Sequence, residues 1–600
     1  MALIVQKYGG TSVGSLERIQ AVAQRVLYTR SQGAQVVVVV SAMAGETDRL
    51  LQLSTQLAPP GPWPPDYERE LDMVLSTGEQ VSVGLLAMAL QRVGCPALSM
   101  TAAQVGIRTS KDHTRARILE INTDRMRRHL EQGEVVVVAG FQGVTSLVDP
   151  EITTLGRGGS DTTAVAVAVA LQADVCEIYT DVRGVFTTDP RRVPAARLLP
   201  EITSAEMLEL ASLGAKVLHP RAVELARNFG MKLRVLSSLK DPLQPQTGTL
   251  VLSSPVAGRT LTGLEVVQAV DRVELDRDQV KVVLLQVPDR PGVAAQLFQT
   301  IATAGINVDL ILQSIHTTEG MATNDIAFTV PQEQLAAIQT VAPQVAQVLE
   351  CPQVLIEDRV AKISIGGAGM IGRPGIAADM FRALAEAGIN LQMISMSEIK
   401  VSCIIAADQA GDAALLLGEA FQVIPRSHHL PASPSTPSQP VRGVALDQNQ
   451  ARLAILQVPD QPGTAALIFG QLAAAGIQVD SIIQSQRRTP NSSGTPTNDM
   501  AFTVPQGQAL KAASLLRGLC PTLACGEVFV DEAIAKVSIV GSEMESHPGV
   551  AAQMFAALAT AGINIEMIAT SEIKISCVVR QADGPKALQL IHEVFRLDHE

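Results

Sequence analysis

Runs of apolar residues alternate with amphipathic stretches along the first 250 residues of the chain. The runs at 2–6, 36–40, 134–139 and 175–180 are short and mostly rich in valine, which is typical of strands buried on both faces of a sheet. Helical periodicity occurs between them, from about residue 15 to 29 and from 68 to 92. Strands that alternate with helices predict a mainly parallel sheet with helices on both faces, a three-layer αβα fold.

Glycines, hydroxyls and single charges recur where these runs end. The densest such stretch is 155–163, Leu-Gly-Arg-Gly-Gly-Ser-Asp-Thr-Thr, which precedes an uncharged stretch of alanine and valine at 164–170. Glycines let backbone N–H groups approach an anion, and the N-terminus of a helix adds partial positive charge. One glycine-rich turn before a helix is weak evidence. Several such loops predict a ligand site, because parallel strands end at one edge of the sheet.

Two common phosphotransfer architectures are excluded by the motifs. The 155–163 stretch lacks the Lys-Ser/Thr pair of the Walker loop, and the sequence has no His-Arg-Asp loop of the protein kinases. Within the helical stretch 68–92, a glycine and a carboxylate stand together as Gly78 and Glu79. A lone glutamate in a helix is most often solvated, so Glu79 alone does not indicate a ligand-binding site.

The second half of the chain repeats itself. Gln-Val-Pro-Asp at 286–289 recurs at 457–460, and Thr-Asn-Asp at 323–325 recurs at 497–499. A second motif, Ala-Lys-x-Ser-Ile, occurs at 361–365 and 535–539, so two unit types alternate as A, B, A, B. Each unit has the βαββαβ pattern of ferredoxin-like domains. We name the units A1 (263–350), B1 (358–424), A2 (446–526) and B2 (532–600), and the Pro- and Ser-rich stretch 425–445 predicts a linker.

Composition narrows the function without identifying it. Lys and Arg number 47 against 59 Asp and Glu, aromatic residues make up 3%, and no basic run occurs, which argues against a nucleic-acid partner. The seven cysteines show no Cys-x-x-Cys spacing and indicate reduced core residues, and no metal site made only of protein ligands is predicted. No leader and no run of membrane-span length is found, so we expect a cytoplasmic protein, although a mature plastid protein would look the same.

Six motifs of the first region occur together and in one order. They are Lys-Tyr-Gly-Gly-Thr-Ser at 7–12, Val-Val-Val-Ser-Ala-Met at 38–43, Ser-Thr-Gly-Glu-Gln at 76–80, Gly-Arg-Gly-Gly-Ser-Asp-Thr-Thr at 156–163, Tyr-Thr-Asp-Val-Arg-Gly-Val-Phe-Thr-Thr-Asp-Pro-Arg at 179–191 and Lys-Val-Leu-His-Pro at 216–220. The region that carries them, 1–252, resembles the bacterial aspartate kinases. The resemblance implies the amino acid kinase fold and ATP-dependent phosphorylation of the L-aspartate side-chain carboxylate, the first step toward lysine, threonine, methionine and isoleucine.

The resemblance also implies residue roles. A carboxylate nucleophile is already ionised at neutral pH, so catalysis is expected to rest on positioning and on neutralising phosphate charge. Lys7 is expected to stabilise the transferring phosphoryl group, with Asp161 holding that lysine, while Arg157 binds the α-carboxylate of the substrate and Glu79 its ammonium group. The predicted substrate-binding residues are Thr47, Glu79, Arg157, Gly158, Gly159 and Ser160. The predicted ATP-binding residues are Lys7, Tyr8, Gly9, Gly10, Ser41, Thr180, Asp181, Phe186, Thr187, Thr188, Asp189, Pro190, Arg191 and Lys216. Mg²⁺ is expected to bridge the ATP phosphates with few protein ligands.

The repeated units resemble ACT domains, small modules that sense amino acids, and four of them are expected. The resemblance implies inhibition by lysine and/or threonine, and it places effectors between the Asp loop of an A unit and the Asn turn of its paired B unit. In the first repeat these residues are Asp289, Gly292, Asn307, Gln313 and Asn390. In the second they are Asp460, Gly463, Gln478, Gln484 and Asn564. Units with exposed sheet edges should pair, so a homodimer or higher homo-oligomer is expected, and it stays open whether every unit binds an effector.

Two other functions are compatible with parts of the sequence. One is an amino acid kinase for glutamate or N-acetylglutamate, which the combination of Glu79 with Arg157 disfavours because both α-groups of the substrate would be recognised. The other is a non-catalytic amino-acid sensor with a kinase fold, which the presence of Lys7, Arg157 and Asp161 disfavours. A fused homoserine dehydrogenase is not expected, because the residues after the first region belong to the repeats.

Overall fold

The structure is a computed structural model of the 600-residue chain. It describes residues 1–58, 63–214, 217–253, 261–265, 268–318, 321–370, 373–427, 439–486, 489–490, 494–544 and 547–599. The chain forms two compact units. The first comprises Met1–Phe186, Leu198–Ala211 and Ala215–Val267, and the second comprises Thr187–Arg197, Ser212–Gly214 and Gln268–Glu600.

The first unit alternates strands and helices, as the apolar pattern predicts. Its strands are β1 (Leu3–Tyr8), β2 (Gln35–Val40), β3 (Ala97–Met100), β4 (Ile107–Thr109), β5 (Ile118–Ile121), β6 (Val135–Ala139), β7 (Gln142–Val144), β8 (Ile152–Thr154), β9 (Val175–Thr180), β10 (Glu201–Thr203), β11 (Leu233–Ser237) and β12 (Thr249–Leu252). Its helices are α1 (Leu16–Ser31), α2 (Glu46–Thr55), α3 (Pro65–Leu75), α4 (Thr77–Arg92), α5 (Ala102–Val105), α6 (Asp124–Glu131), α7 (Gly159–Leu171), α8 (Ser204–Ser212) and α9 (Pro220–Phe229).

The main sheet of this unit has eight strands in the order β10-β12-β11-β9-β1-β2-β6-β3. All its pairs are parallel except β11 with β12. Val36, Val38 and Val40 of β2 pack in one core with α1 and α4, while α7 packs on β1, β2 and β9. Strand order reverses between β1 and β9, and open α/β sheets bind ligands outside the carboxyl ends of strands at such a point.

Helices α3 and α4 meet at Ser76, within the stretch for which the sequence predicts one helix. Together they give the run Asp66–Arg92, which by length and composition alone could span a membrane, contrary to the expectation that no run has that length. Half of its most apolar window is buried inside the protein, and α4 packs on α1, β3 and β6. A core helix of a globular unit accounts for this apolar composition. The break at Ser76 also puts Glu79 into the first turn of α4.

The second unit contains the repeats. Its strands are β13 (Arg272–Pro288), β14 (Ile311–Thr318), β15 (Met321–Pro331), β16 (Gln353–Gly366), β17 (Met393–Met396), β18 (Lys400–Ala406), β19 (Arg426–Ser427), β20 (Gly443–Asp447), β21 (Gln450–Pro459), β22 (Ile482–Gln484), β23 (Thr489–Pro490), β24 (Pro496–Pro505), β25 (Val528–Asp531), β26 (Ile534–Val540), β27 (Met567–Ser571) and β28 (Lys574–Arg580). Its helices are α10 (Val293–Thr303), α11 (Leu335–Val348), α12 (Ile376–Glu386), α13 (Ala410–Phe421), α14 (Thr464–Ala474), α15 (Ala509–Leu523), α16 (Val550–Thr560) and α17 (Gly584–Val594). Most of the predicted linker, 428–438, lies outside the described residues.

Neighbouring units share strands in a way that the repeats do not reveal. The amino-terminal half of β13 pairs with the carboxyl-terminal half of β16 next to B1, while the other halves pair within A1. Likewise β20, which lies at the boundary between the predicted linker and A2, pairs with β26 of B2. Units that follow each other in the chain are therefore joined through their first and last strands, and their other edges face away from each other.

The effector interface expected within each repeat, between A1 and B1 and between A2 and B2, is wrong. The sheet order β17-β18-β16-β13-β15-β14-β27-β28-β26-β20 places β14 of A1 beside β27 of B2. One apolar core joins A1 with B2, including Phe298 and Phe555 at 5.5 Å between ring centroids, and a second joins B1 with A2, including Phe381 and Phe469 at 5.8 Å. In the A1–B1 sheet, β14 and β17 lie at opposite ends and cannot pair with each other, and β14 pairs with β27 of the other repeat.

Candidate active site

A lysine and an aspartate form an ion pair where β1 ends and α7 begins. Lys7 Nζ lies 2.6 Å from Asp161 Oδ1, and both side chains are nearly buried, at 11% and 13% exposure. Lys7 is the penultimate residue of the central strand β1. Asp161 is in the first turn of α7, whose N-cap Gly158 has a left-handed φ of 73°. The N-terminus of α7 adds partial positive charge beside the ammonium group. The two residues predicted as catalytic are therefore brought together, at a place suited to an anion.

Glycines at the strand ends bring backbone close to this pair. A Cβ on Gly10 would lie 3.0 Å from the Ala42 carbonyl oxygen, and one on Gly140 would lie 2.9 Å from Ser160. A Cβ on Gly9 would lie 3.2 Å from Lys7 Nζ. These glycines let the ends of β1, β2 and β6 and the start of α7 pack closely together, so that backbone borders the ion pair. We call this backbone surface the strand-end cradle.

Glu79 is buried in this region without a full set of partners. It is 2% exposed, and its Oε1 accepts a hydrogen bond of 2.9 Å from the backbone N–H of Ala42 at the end of β2. Its Oε2 has no hydrogen-bond partner among the residues that the structure describes. Burial raises the pKa of Glu79 to about 7, and the Ala42 hydrogen bond opposes that shift. Buried carboxylate oxygens are normally paired, so this one indicates a place for a ligand donor.

Close packing requires a glycine at position 78, directly before Glu79. A Cβ at Gly78 would lie 2.8 Å from the Ala42 side chain, so only glycine lets α4 approach the end of β2 closely enough for the Glu79 hydrogen bond. Thr47 is half-buried near the start of α2, which follows the same strand end. The pattern at 76–80 is thus a packing requirement and a carboxylate position in one motif.

The substrate loop predicted around Arg157 lies at the start of α7. Arg157 is exposed, while Gly159 and Ser160 are buried in the first turn of the helix. Gly158 packs on the ring of His219, because a Cβ there would lie 2.1 Å from His219 Cγ. Burial lowers the pKa of His219, so the neutral ring is favoured as a packing surface.

Tyr8 is placed differently from what an ATP-binding side chain requires. Its ring is fully buried and stacked on Tyr179 at 4.7 Å between centroids, and its hydroxyl donates to Gln6 Oε1. Burial raises the pKa of Tyr8 above its ordinary value. Only its backbone, whose carbonyl accepts from Ser41 N at 3.1 Å, is left to contribute to a ligand site.

The other predicted ATP-binding residues fall into three groups. Thr180, Asp181 and Phe186 belong to the first unit, and Thr180 Oγ1 donates to Asp181. Thr187, Thr188, Asp189, Pro190 and Arg191 belong to the second unit. Arg191 binds Asp189 with two hydrogen bonds of 3.0 and 2.9 Å and lowers the pKa of that carboxyl. Lys216 lies outside the described residues.

The predicted effector residues form two pockets, each between the Asp loop of an A unit and the Asn turn of a B unit from the other repeat. Asn564 donates to Asp289 at 3.0 Å, and Asn390 donates to Asp460 at 2.9 Å. Gln313 and Gly292 line the first of these A-loop pockets, and Gln484 and Gly463 line the second. The expectation that Asp289 faces Asn390, and Asp460 faces Asn564, is therefore wrong for the reason given for the sheet edges.

Asn307 and Gln478 do not lie in the A-loop pockets but in two larger ones beside the Pro-Gly turns of the B units. These B-loop pockets are open to solvent and span about 550 and 670 Å³, against about 300 and 360 Å³ for the A-loop pockets, which are open as well. The pocket with Asn307 also has Asp309, Ser571 and Glu572 in its wall. Asp309 Oδ1 and Ser571 Oγ are buried and lack hydrogen-bond partners among the described residues. The motif Ser-Glu-Ile-Lys, which stands at 397–400 and again at 571–574, is the sequence signal that could have pointed to this pocket.

Comparisons with known proteins match the first region to one family and three of the repeated units to another. The amino acid kinase family model matches residues 2–237, and ACT domain models match 281–350, 363–421 and 537–595. An aspartokinase of Mycolicibacterium smegmatis is 46% identical over 425 residues, which are 70% of this chain and 96% of that protein, and an aspartate kinase of Pseudomonas putida is 48% identical over 407 residues, 68% of this chain and 94% of that protein. The crystal structure of aspartate kinase from Synechocystis is 55% identical, with a TM-score of 0.87, and covers 100% of this chain and 98% of that one.

Proposed function

This chain belongs to the aspartate kinases, and on that premise we propose that it transfers the γ-phosphate of ATP to the side-chain carboxylate of L-aspartate, giving 4-phospho-L-aspartate. The reaction is the first step toward lysine, threonine, methionine and isoleucine. The observation that carries the proposal is the Lys7–Asp161 ion pair in the same strand-end cradle as the buried, half-paired Glu79. A fixed cation for a phosphate and a buried carboxylate for an ammonium group are what this transfer needs.

Each role follows from the position of the side chain. Lys7, oriented by Asp161, neutralises charge on the transferring phosphoryl group, and the first N–H groups of α7 support it. Glu79 Oε2 accepts from the ammonium group of aspartate, and Arg157 binds its α-carboxylate with two parallel hydrogen bonds. Thr47, Gly158, Gly159 and Ser160 complete the proposed substrate site. Holding the ionised β-carboxylate in line with the phosphoryl group replaces a general base.

ATP is the proposed cosubstrate, and the cradle fits a triphosphate because its walls are backbone and one ammonium group. Gly9 leaves the Lys7 ammonium group uncovered, since a Cβ there would lie 3.2 Å from Lys7 Nζ, and Gly10 lets β1 end close to the backbone of Ala42. Mg²⁺ bound to the phosphates would supply further charge neutralisation. The remaining proposed nucleotide contacts are the backbone of Tyr8 with Ser41, Thr180, Asp181, the segment from Phe186 to Arg191, and Lys216.

Turnover with defined acceptors tests the proposal. ADP release is measured with L-aspartate, L-glutamate and N-acetyl-L-glutamate, and we expect turnover with aspartate alone. Lys7→Ala should abolish it while binding of lysine or threonine to the second unit persists. Turnover with glutamate or N-acetylglutamate instead would contradict the substrate assignment, and effector binding without any turnover would favour a sensor.

We also propose that all four repeated units are ACT domains and that they bind lysine and/or threonine as inhibitors. Family models match three of them, and the sheet β22-β24-β21-β25 of A2 with helices α14 and α15 supports the fourth. The unpaired Asp309 Oδ1 and Ser571 Oγ in the first B-loop pocket suit an ammonium group. Inhibition requires that the effector binds an inactive arrangement more tightly than the active one.

The crosswise pairing gives a sharp test of these pockets. Asp289 and Asn564 are 275 residues apart but share one hydrogen bond, so Asp289→Ala and Asn564→Ala should weaken the response to the same effector, by about tenfold for a lost charge-assisted bond. Asp460→Ala serves as the control in the other A-loop pocket. Inhibition curves for lysine and threonine distinguish them. If Asn564→Ala matched Asp460→Ala instead, the pairing of the pockets would be wrong.

Further properties of the chain remain proposals. A cytoplasmic location and the absence of a nucleic-acid partner rest on composition and charge. A homo-oligomer through the ACT units is proposed as well, although β14 and β27 already pair within one chain. Any such assembly must therefore use surfaces other than that edge.

A further inference from the structure

Arg221 is hydrogen-bonded to the backbone of the substrate loop, the stretch that begins at Leu155 and contains Arg157. It stands in the first turn of α9, and its guanidinium donates to the carbonyl oxygen of Leu155 and, at 3.0 Å, to that of Ala116. Its Nε and Nη2 also donate to Glu265 at 3.0 and 2.8 Å. The side chains of Arg221 and Glu265 are 12% and 4% exposed. A planar group with five donors suits this position, where one side chain ties three segments together.

Glu265 belongs to a short segment that docks on β5. The N–H groups of Gly263 and Leu264 donate to the Leu119 carbonyl, and that of Glu265 donates to Ile118. Ile118 N in turn donates to Glu265 Oε2 at 2.7 Å, and Leu264 is fully buried. This segment is thus fixed in the first unit. Three residues after Glu265, at Gln268, the chain enters the second unit.

The Leu155 carbonyl precedes Arg157 by two residues and the N-cap Gly158 by three. On its other side, Leu155 N donates to the Phe141 carbonyl at 2.9 Å, so the backbone of the loop is held at both ends of this residue. The next support is the His219 ring under Gly158. Arg221 therefore fixes the point from which the side chain of Arg157 and the first turn of α7 both start.

We infer that Arg221 and Glu265 are positioning residues of the aspartate-binding loop, and that the docked segment 263–265 transmits displacements of the adjoining chain to that loop. The inference rests on the proposed function, because Arg157 receives its role there. It assigns the Arg221–Glu265 pair to acceptor binding and leaves Lys7 and the nucleotide side unaffected. Regulation would then act on aspartate affinity through the position of Glu265.

Steady-state kinetics of the full chain test this inference. Glu265→Gln and Arg221→Lys remove the paired charge or the fork of donors, and we expect KM for aspartate to rise at least tenfold while KM for MgATP stays within twofold. Glu265→Asp, which keeps the charge, should recover part of the aspartate affinity. Inhibition by lysine or threonine should weaken in Glu265→Gln, because the segment no longer moves the loop.

Arg30→Lys is the matched control. Arg30 also donates to a backbone carbonyl in the same unit, that of Gly133, but next to the amino end of β6, away from the cradle. The Arg30→Lys variant should have a lower melting temperature, and its KM for aspartate should not change relative to its KM for MgATP. Equal changes in both KM values for the Arg221 and Glu265 variants, or changes that follow the melting temperature as in Arg30→Lys, would overturn the inference. If the wild type uses a different acceptor, the proposed function fails while the same comparison of KM values, made with that acceptor, still decides the role of Arg221.

Discussion

Aspartate binding should depend on pH through Glu79. Burial raises the pKa of this carboxyl from its ordinary value of 4.5 to about 7, and its Oε2 lacks a partner. An ammonium group can pair with Glu79 only after the proton has left. With a pKa of 7, about a tenth of the sites are ionised at pH 6 and about nine tenths at pH 8, so affinity for aspartate should rise roughly tenfold over this interval.

The assay is direct titration of aspartate into the protein without ATP, since the γ-phosphate of ATP titrates in the same interval. Repeating the titration in buffers of different ionisation enthalpy counts protons, and binding at pH 6 should release about one. Glu79→Gln should bind aspartate weakly at every pH and release none. Identical pH profiles for wild type and Glu79→Gln would refute the assignment.

The same shift makes a statement about stability. Between pH 4.5 and about 7 the folded protein retains a proton that the unfolded chain has released, so the free energy of unfolding falls as pH rises through this window. A difference of about 2.5 pKa units corresponds to about 3.4 kcal/mol from this one group. Denaturant unfolding should therefore show Glu79→Gln losing less stability than the wild type between pH 5 and pH 8. Saturating aspartate should reduce the loss in the wild type.

Two further predictions concern the substrate loop and the coupling between pockets. Gly158→Ala should inactivate the enzyme and lower its melting temperature, because the new Cβ would overlap the His219 ring and φ is left-handed at 73°. The control Gly33→Ala also has a left-handed φ, of 87°, but no atom within 4 Å, so it should only reduce stability. Equal activity losses in the two variants would contradict the role of the loop. Lys400→Met should abolish most of the effect of lysine on threonine binding, and of threonine on lysine binding, in calorimetric titrations. The reason is that Lys400 of B1 pairs with Glu572 in the B-loop pocket of the A1–B2 pair. Lys511→Met, at an exposed lysine, is the control, and unchanged coupling in Lys400→Met would argue against this link.

Local patterns predicted the central strands of the first unit. The apolar runs gave β1, β2, β6 and β9 to within two residues but not β3, β10 or β11, and the loops at the strand ends pointed to Lys7 and to the stretch that contains Asp161. Glu79 stands inside a helix, so only the resemblance to the aspartate kinases singled it out, and the site residues stay predictions. The burial of Tyr8 was not predictable, because it depends on stacking with Tyr179 from a strand more than 170 residues away. Arg221 and Glu265 were missed for the same reason, since their partners are three backbone segments that the sequence does not bring together.

The prediction of which units form a pocket together was wrong because it assumed that units adjacent in sequence share a pocket. The pairing of β13 with β16 prevents A1 and B1 from forming such a pocket with each other. Once they pair, A1 and B1 form one sheet with β14 at one end and β17 at the other, and no rotation of the units brings these edges together. A chain with a single A–B repeat would need a second chain to satisfy such an edge. Here the second repeat supplies it, so that both members of the Asp289–Asn564 bond come from one polypeptide. A consequence is that effector pockets should form in an isolated monomer, and lysine or threonine binding measured at concentrations where only monomer is present should match binding at high concentration. If affinity decreased on dilution of the protein, the pockets would be completed between chains.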